Sequence, residues 1–157
     1  MSRGTLFRLQ EDVLDLQPRG IVLLTGSNDL SAHQAPAQTR ANIDTMLDEI
    51  ARRAPGVPVV LCTVPPRQDA KAPVDPARVA ELNALIKQAA ARRPGVQVLD
   101  LHAALSAADG APDWSLFGAD RLHINTAGFG RFREALLPLF ERAGLSASAA
   151  APNSEPR

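Results

Sequence analysis

Gly20-Ile21-Val22-Leu23-Leu24-Thr25-Gly26-Ser27-Asn28-Asp29 is an apolar strand that runs straight into a polar turn. Residues 21–25 offer no polar face to solvent, so the strand is expected to be covered on both sides. Two further apolar runs, 57–64 and 96–101, read the same way. Helical patterns separate them. Ile43, Met46, Leu47, Ile50 and Ala51 recur at helical spacing and stop at Pro55-Gly56. Val79, Leu82, Leu85, Ile86 and Ala89 do so after Asp75-Pro76, a carboxylate cap followed by proline at the first helical position. An earlier stripe, Leu6, Leu9, Val13, Leu14 and Leu16, ends before Pro18. A last one, Phe129, Phe132, Leu136 and Phe140, is read as capped by Thr126 and stopped by Gly144, with Pro138 kinking it or ending its regular part early. The segment from Gly26 to about Ala37 is read as a loop. Strands apolar on both faces, separated by helices, predict the α/β class: three layers, α/β/α, around a parallel sheet. Residues 1–144 form one domain, and 145–157, with nothing to pack, are expected to be a disordered tail.

Composition excludes several functions. With 157 residues, 45% of them apolar, the chain suffices for one domain with a real core. Seventeen basic residues balance seventeen acidic ones, which leaves no electrostatic footprint for nucleic acid. Aromatic residues make up 4% with no Tyr, so base-stacking surfaces are not expected either. No apolar run approaches the ~18 residues of a membrane span. The one cysteine, Cys62, lies in an apolar strand and reads as a buried, inert thiol. Met1 is not followed by a signal-peptide pattern, so the chain reads as cytoplasmic if Met1 is the true start, and its localisation is otherwise unassigned.

In an open parallel sheet, function gathers at the carboxyl ends of the strands. Residues 26–29 lie just past the first strand, Asp100 and His102 at or past the end of the third, and Asp120-Arg121-Leu122-His123 in the loop after it. All three clusters are expected on one rim. Each has a plainer reading. Asn28 and Asp29 suit the turn after a strand, and Asp120 with His123 could form a surface pair. Asp100, His102, Asp120 and His123 would supply two imidazoles and two carboxylates to a metal, but the Asp-x-His spacing is common by chance and no metal is assigned.

Gly26-Ser27-Asn28-Asp29 at a strand end, followed far along the chain by Asp120-Arg121-Leu122-His123-Ile124-Asn125-Thr126-Ala127-Gly128-Phe129, resembles the SGNH (GDSL-type) serine ester hydrolases. These stretches are similar to the third and fifth motif blocks of that family, in order and on the expected elements. Pro65 and Leu82-Asn83 fit between them, and the resemblance covers roughly residues 5–143. It implies a flavodoxin-like fold and a small-molecule ester substrate, without a cofactor. By the same resemblance His123 is the general base, Asp120 its orienting carboxylate and Asn28 an oxyanion donor, with Gly26 and Asp29 shaping the loop. Trp114 and Phe117 then stand either as walls of an acyl pocket or as ordinary core.

The family's Gly-Asp-Ser segment, which bears the nucleophile, and the glycine of its second block have no counterpart in residues 1–157. Ser2-Arg3-Gly4-Thr5 resembles the residues immediately after that second block, so the N-terminal strands are expected to be missing, roughly 40–60 residues if one βαβ unit takes about 30 or more. Ser27, beside Asn28, reads as loop lining rather than a substitute nucleophile. The isolated chain is therefore expected to be inactive, the alternative being a pseudo-esterase that binds small ligands without catalysis. Strand 21–25 also loses a neighbour, and an unpaired apolar edge invites association. The chain alone is predicted to aggregate, self-associate or be only marginally stable; a cooperative thermal transition at mesophilic temperature from a monomer would count against this.

Overall fold

Three parallel strands carry the fold in the computed structural model, which describes residues 1–145. β1 (Ile21–Leu23), β2 (Val59–Cys62) and β3 (Val96–Leu99) lie in the order β1-β2-β3. Val22 pairs with Val60, and Val60 with Gln97. Parallel neighbours need crossover connections, which helices provide. The helices are α1 (Ser2–Asp12), α2 (Ser27–Ser31), α3 (Pro36–Arg53), α4 (Pro76–Ala91), α5 (Leu101–Ala104) and α6 (Thr126–Arg142).

Strand alternation divides the core in two. Val59 and Leu61 of β2 face Leu9 of α1, Ile43 and Met46 of α3, and Leu82 and Ile86 of α4. Val60 and Cys62 face the opposite way, toward Leu101, Leu105, Phe117 and Leu139, with α6 as the cover. All four residues of β2 are buried, as the three-layer reading requires. Burial pushes the Cys62 thiol up to about 12, which makes it unreactive. β1 is covered on one side only: Ile21 and Leu23 are buried, while Val22 is 38% and Leu24 41% exposed. Among the described residues it hydrogen-bonds β2 alone and is an edge of the sheet.

Local rules read most elements correctly and missed several boundaries. The segment expected to be a loop after Gly26 holds α2 and the start of α3, which opens with Pro36 at its first turn. α2 spans five residues, too short to show a periodic stripe. Residues 100–101 leave the third strand because the Asp100 carboxylate caps α5 by accepting from the Ala103 N–H. Leu16 is 73% exposed and not part of the core, since α1 ends at Asp12 and a 3-10 turn succeeds it. The cap of α6 is Asn125 rather than Thr126: the Asn125 Oδ1 accepts from the Gly128 N–H at 3.0 Å. Pro138 does not end α6, which continues to Arg142. Leu145 donates its N–H to the Phe140 carbonyl, and the rest of the expected tail lies outside the described residues.

One buried carboxylate ties the N-terminal helices together. Asp29 is fully buried and accepts from the Ser2 N–H (2.8 Å), the Ser2 hydroxyl, Gln34 Nε2 (3.0 Å) and Thr39 Oγ1 (3.4 Å). Asn42 Nδ2 donates in turn to the Ser2 hydroxyl at 2.9 Å. The first turns of α1, α2 and α3 thus close on one group. Replacing Asp29 by Ala leaves several buried donors unmatched and is expected to cost about 2–4 kcal/mol. Denaturant unfolding measures this, and a loss below about 0.5 kcal/mol, the scale of ordinary surface changes, would show that the network is not needed.

Candidate active site

The turn after β1 is built around Gly26, whose φ of +112° lies where side chains are disfavoured. A Cβ there would also come within 3.0 Å of Leu82 Cδ2 and 3.2 Å of Thr39 Cγ2. Beyond this turn α2 begins at Ser27, with Asn28 exposed and Asp29 buried beneath it. The other described asparagines use their amides inside the fold. Asn42 donates to Ser2, Asn83 brackets the backbone of Val64, and Asn125 donates to the Ser115 and Phe117 carbonyls. Asn28 instead lies at a cavity wall.

The Asp120–His123 segment is a tight turn pinned at its base. Phe117 and Ile124 form an antiparallel bridge, and the Gly118 N–H donates to the His123 carbonyl at 2.8 Å. The Asp120 Oδ1 accepts from the Leu122 and His123 N–H groups, each at 3.0 Å, so the carboxylate shapes its own turn. Its Oδ2 lies 2.7 Å from His123 Nδ1. An ionised carboxylate can only accept, which makes Nδ1 the donor and leaves Nε2 as the unprotonated nitrogen of the neutral ring. The hydrogen bond from His123, together with the two backbone donors, holds the Asp120 carboxyl well below the usual carboxylate range. The imidazole itself is 80% exposed. Such a pair presents a proton acceptor of fixed tautomer, with a carboxylate placed to stabilise the imidazolium that forms.

Asn28 and His123 line the same cavity, of about 450 Å³, together with Ser27, Arg67, Phe129 and Phe132. The fold therefore joins two of the three clusters expected on one rim. The third is elsewhere. Asp100 accepts from Lys87 Nζ, from Thr63 Oγ1 at 3.0 Å and from the Ala103 N–H, while the His102 N–H donates to Thr63. Neither Asp100 nor His102 lines the cavity. Among the described residues no three His, Cys, Asp or Glu side chains come together as metal ligands. Phe117 is buried in the core against α6, with Trp114 packed edge-on to it at 5.4 Å, and neither ring walls the cavity.

Sequence reasoning missed Arg67. Its Nη1 donates to the Ser27 carbonyl at 2.7 Å and the Ser27 hydroxyl at 2.9 Å, fastening the loop after β2 to the turn that carries Asn28. Its place directly after Pro65-Pro66 was visible, but nothing in the spacing pointed back to Ser27. Gln68 was missed too: its N–H donates to the Arg121 carbonyl at 2.8 Å, and Arg121 Nη1 donates to its Oε1 at 2.6 Å.

Residues 2–131 match the model of the GDSL-like lipase/acylhydrolase family. No match was found among curated proteins. Among the described residues no helix is long and apolar enough to cross a membrane. Several solved structures share the fold. A GDSL-like lipase from Bacteroides thetaiotaomicron is 23% identical with a TM-score of 0.77, over 91% of this chain and 72% of that one. A lipase/acylhydrolase from Enterococcus faecalis is 26% identical with a TM-score of 0.73, over 92% and 71%. A catalytic mutant of an acetylxylan esterase from Geobacillus stearothermophilus is 18% identical with a TM-score of 0.71, over 93% and 68%. A match along most of the chain, with a fold shared by acylhydrolases, agrees with the carboxylate–imidazole pair at the sheet rim: the chain belongs to the GDSL-like lipase/acylhydrolase family.

Proposed function

We propose that this chain carries the base, the orienting carboxylate and an oxyanion donor of a serine ester hydrolase acting on small-molecule esters. The observation behind this reading is that Asn28 and His123 share one cavity while the imidazole is bound through Nδ1 to Asp120. His123 Nε2 takes the proton of a serine hydroxyl as the oxygen attacks the ester carbonyl, and returns it to the departing alcohol. Water then cleaves the acyl-enzyme by the same route. The Asn28 amide stabilises the oxyanion, a contribution of about 3 kcal/mol where such donors have been removed elsewhere. Gly26 and Asp29 set the turn that presents it. The family and the esterase neighbours support ester chemistry over binding alone.

The nucleophile is assigned to a serine outside residues 1–157. Within the chain, the Ser27 hydroxyl is engaged by Arg67, and the described hydrogen bond of the His123 ring runs to Asp120. Hydrolysis of p-nitrophenyl acetate tests the assignment. Residues 1–157 alone should not exceed their His123→Ala variant, whereas a longer polypeptide that adds a Gly-Asp-Ser turn ahead of Met1 should turn the ester over. In that polypeptide His123→Ala should lower kcat on the order of 10⁴-fold and Asn28→Ala on the order of 10²–10³-fold, with KM little changed. Hydrolysis that survives His123→Ala would remove the base, and His123-dependent hydrolysis by residues 1–157 would place the nucleophile inside the chain.

The electrostatics yield a second test. A carboxyl whose folded pKa lies below its unfolded value stabilises the fold above that unfolded value, and loses this contribution as pH falls through the lowered one. Asp120 is such a group, so its pair with His123 keeps a charged carboxylate through the whole neutral range. Its carboxyl carbon, tracked by NMR, should show its own midpoint well below the value of about 3.9 at which an unperturbed Asp titrates. A midpoint at the ordinary value of about 3.9 or higher would show that the pair does not form in solution.

A further inference from the structure

Beside the cavity that holds Asn28 lies a second, wider cleft of about 840 Å³, between the 67–76 loop and the Asp120–His123 turn. Arg67, Leu122 and His123 border both spaces, whereas Asn28 borders only the first. An ester with its carbonyl oxygen toward Asn28 and its leaving oxygen at His123 therefore has its alcohol portion on the side of this cleft.

The chemistry of the cleft wall is one-sided. Its carboxylates are already engaged: Asp120 by His123 and two backbone N–H groups, and Asp69 by the Lys71 N–H, beside the Arg67 charge. Of its three cations, Arg67 is committed to Ser27 and the Ala72 carbonyl, while Arg121 and Lys71 keep donors to spare. Arg121 uses Nη1 on Gln68 and lays its guanidinium over the Trp114 ring at 5.5 Å, and its described hydrogen bonds leave Nε and Nη2 for a ligand. The Lys71 ammonium makes no described ion pair. Arg121 also sits at φ +50°, in the left-handed region that disfavours residues other than glycine. The Gln68 clamp on its backbone and side chain offsets that strain and aims a pre-oriented guanidinium into the cleft.

We infer that this cleft is the alcohol-side subsite of the substrate and that it recognises an anionic group, a phosphate or carboxylate, through Arg121 and Lys71. The inference rests on the hydrolase reading, since His123 defines which side receives the alcohol. Arg121 is a specificity-determining residue in this assignment, and Gln68 positions it.

Binding to the full chain of residues 1–157 tests it without turnover. Trp114 is the only tryptophan, so its fluorescence reports on Arg121, and the His123 ring resonances report on the shared wall. The probes are glycerol, glycerate and glycerol 3-phosphate. At least one of the two anions should bind about tenfold or more tighter than glycerol, move both reporters and weaken as salt is raised. The tighter of the two identifies the anion. Arg121→Gln and Lys71→Gln should each lower that affinity about fivefold or more, and Lys71→Gln does so without touching the Asp120–His123 turn. Equal binding of all three probes, or affinity unchanged in both variants, overturns the anionic subsite. Anion binding that moves Trp114 but leaves His123 unmoved overturns its assignment to the substrate. A failure of the hydrolase reading appears elsewhere, as hydrolysis that persists in His123→Ala, so the two ideas fail separately.

Discussion

A carboxylate removed from water has to be met by donors, and Asp29 of α2 meets that requirement with groups from α1, from α3 and from the link between α2 and α3. The Ser2 backbone and hydroxyl, Gln34 and Thr39 converge on it, so α1, α2 and α3 are fastened at one point. Burial makes the arrangement restrictive, because any shift of one helix would strand a charge or a donor in a low-dielectric interior. Its neighbour in sequence, Asn28, is consequently held at the rim with its side chain outward. A structural residue and the proposed oxyanion donor thus share a turn, and the first sets the geometry of the second. Gly26 completes the device, since its left-handed backbone turns the chain where no side chain would fit between Leu82 and Thr39.

His123, the proposed base, is organised by shorter-range forces. Asp120 accepts from two amides of its own turn and from the imidazole three residues on, so the pair is nearly complete within a single loop. What the loop lacks is a location. That comes from the bridge between Phe117 and Ile124, from the packing of Gly128 against the Leu116 carbonyl, and from the Gln68 clamp on Arg121. Arg67 and Gln68, adjacent in sequence, reach the two halves of the site separately, one to Ser27 and the other to Arg121. The loop after β2 is therefore a brace between the turn that carries Asn28 and the turn that carries His123. It is anchored at its root by Asn83, which pairs with both backbone polar groups of Val64.

Much of this was legible in the amino-acid sequence because the relevant forces are local. Burial on both faces requires apolar residues at every position of β2, and a helix that covers a sheet shows its stripe at 3.6-residue spacing. The Asp75 and Gly144 boundaries derive from cap chemistry. The Asp120–His123 pair is likewise a matter of three residues' separation. Errors arose where local signals were short or ambiguous. α2 is too brief for a period, Asn125 and Thr126 are adjacent and both of capping type, and Leu16 belongs to the apolar pattern without belonging to the core.

Sequence by itself determined the layered α/β class and the strands and principal helices, and it singled out Asn28, Asp120 and His123 as the residues on which the proposed function is built. Tertiary structure alone decided that Asn28 and His123 face one cavity while Asp100 and His102 do not, that Asp29 is a buried anchor, and that Arg67 and Gln68 brace the site. The difference is physical. Propensity, periodicity and capping act within a few residues, where the chain's own order records them. Convergence at a sheet rim depends on strand order, register and the packing of loops whose partners lie tens of residues away, and no local pattern encodes those distances.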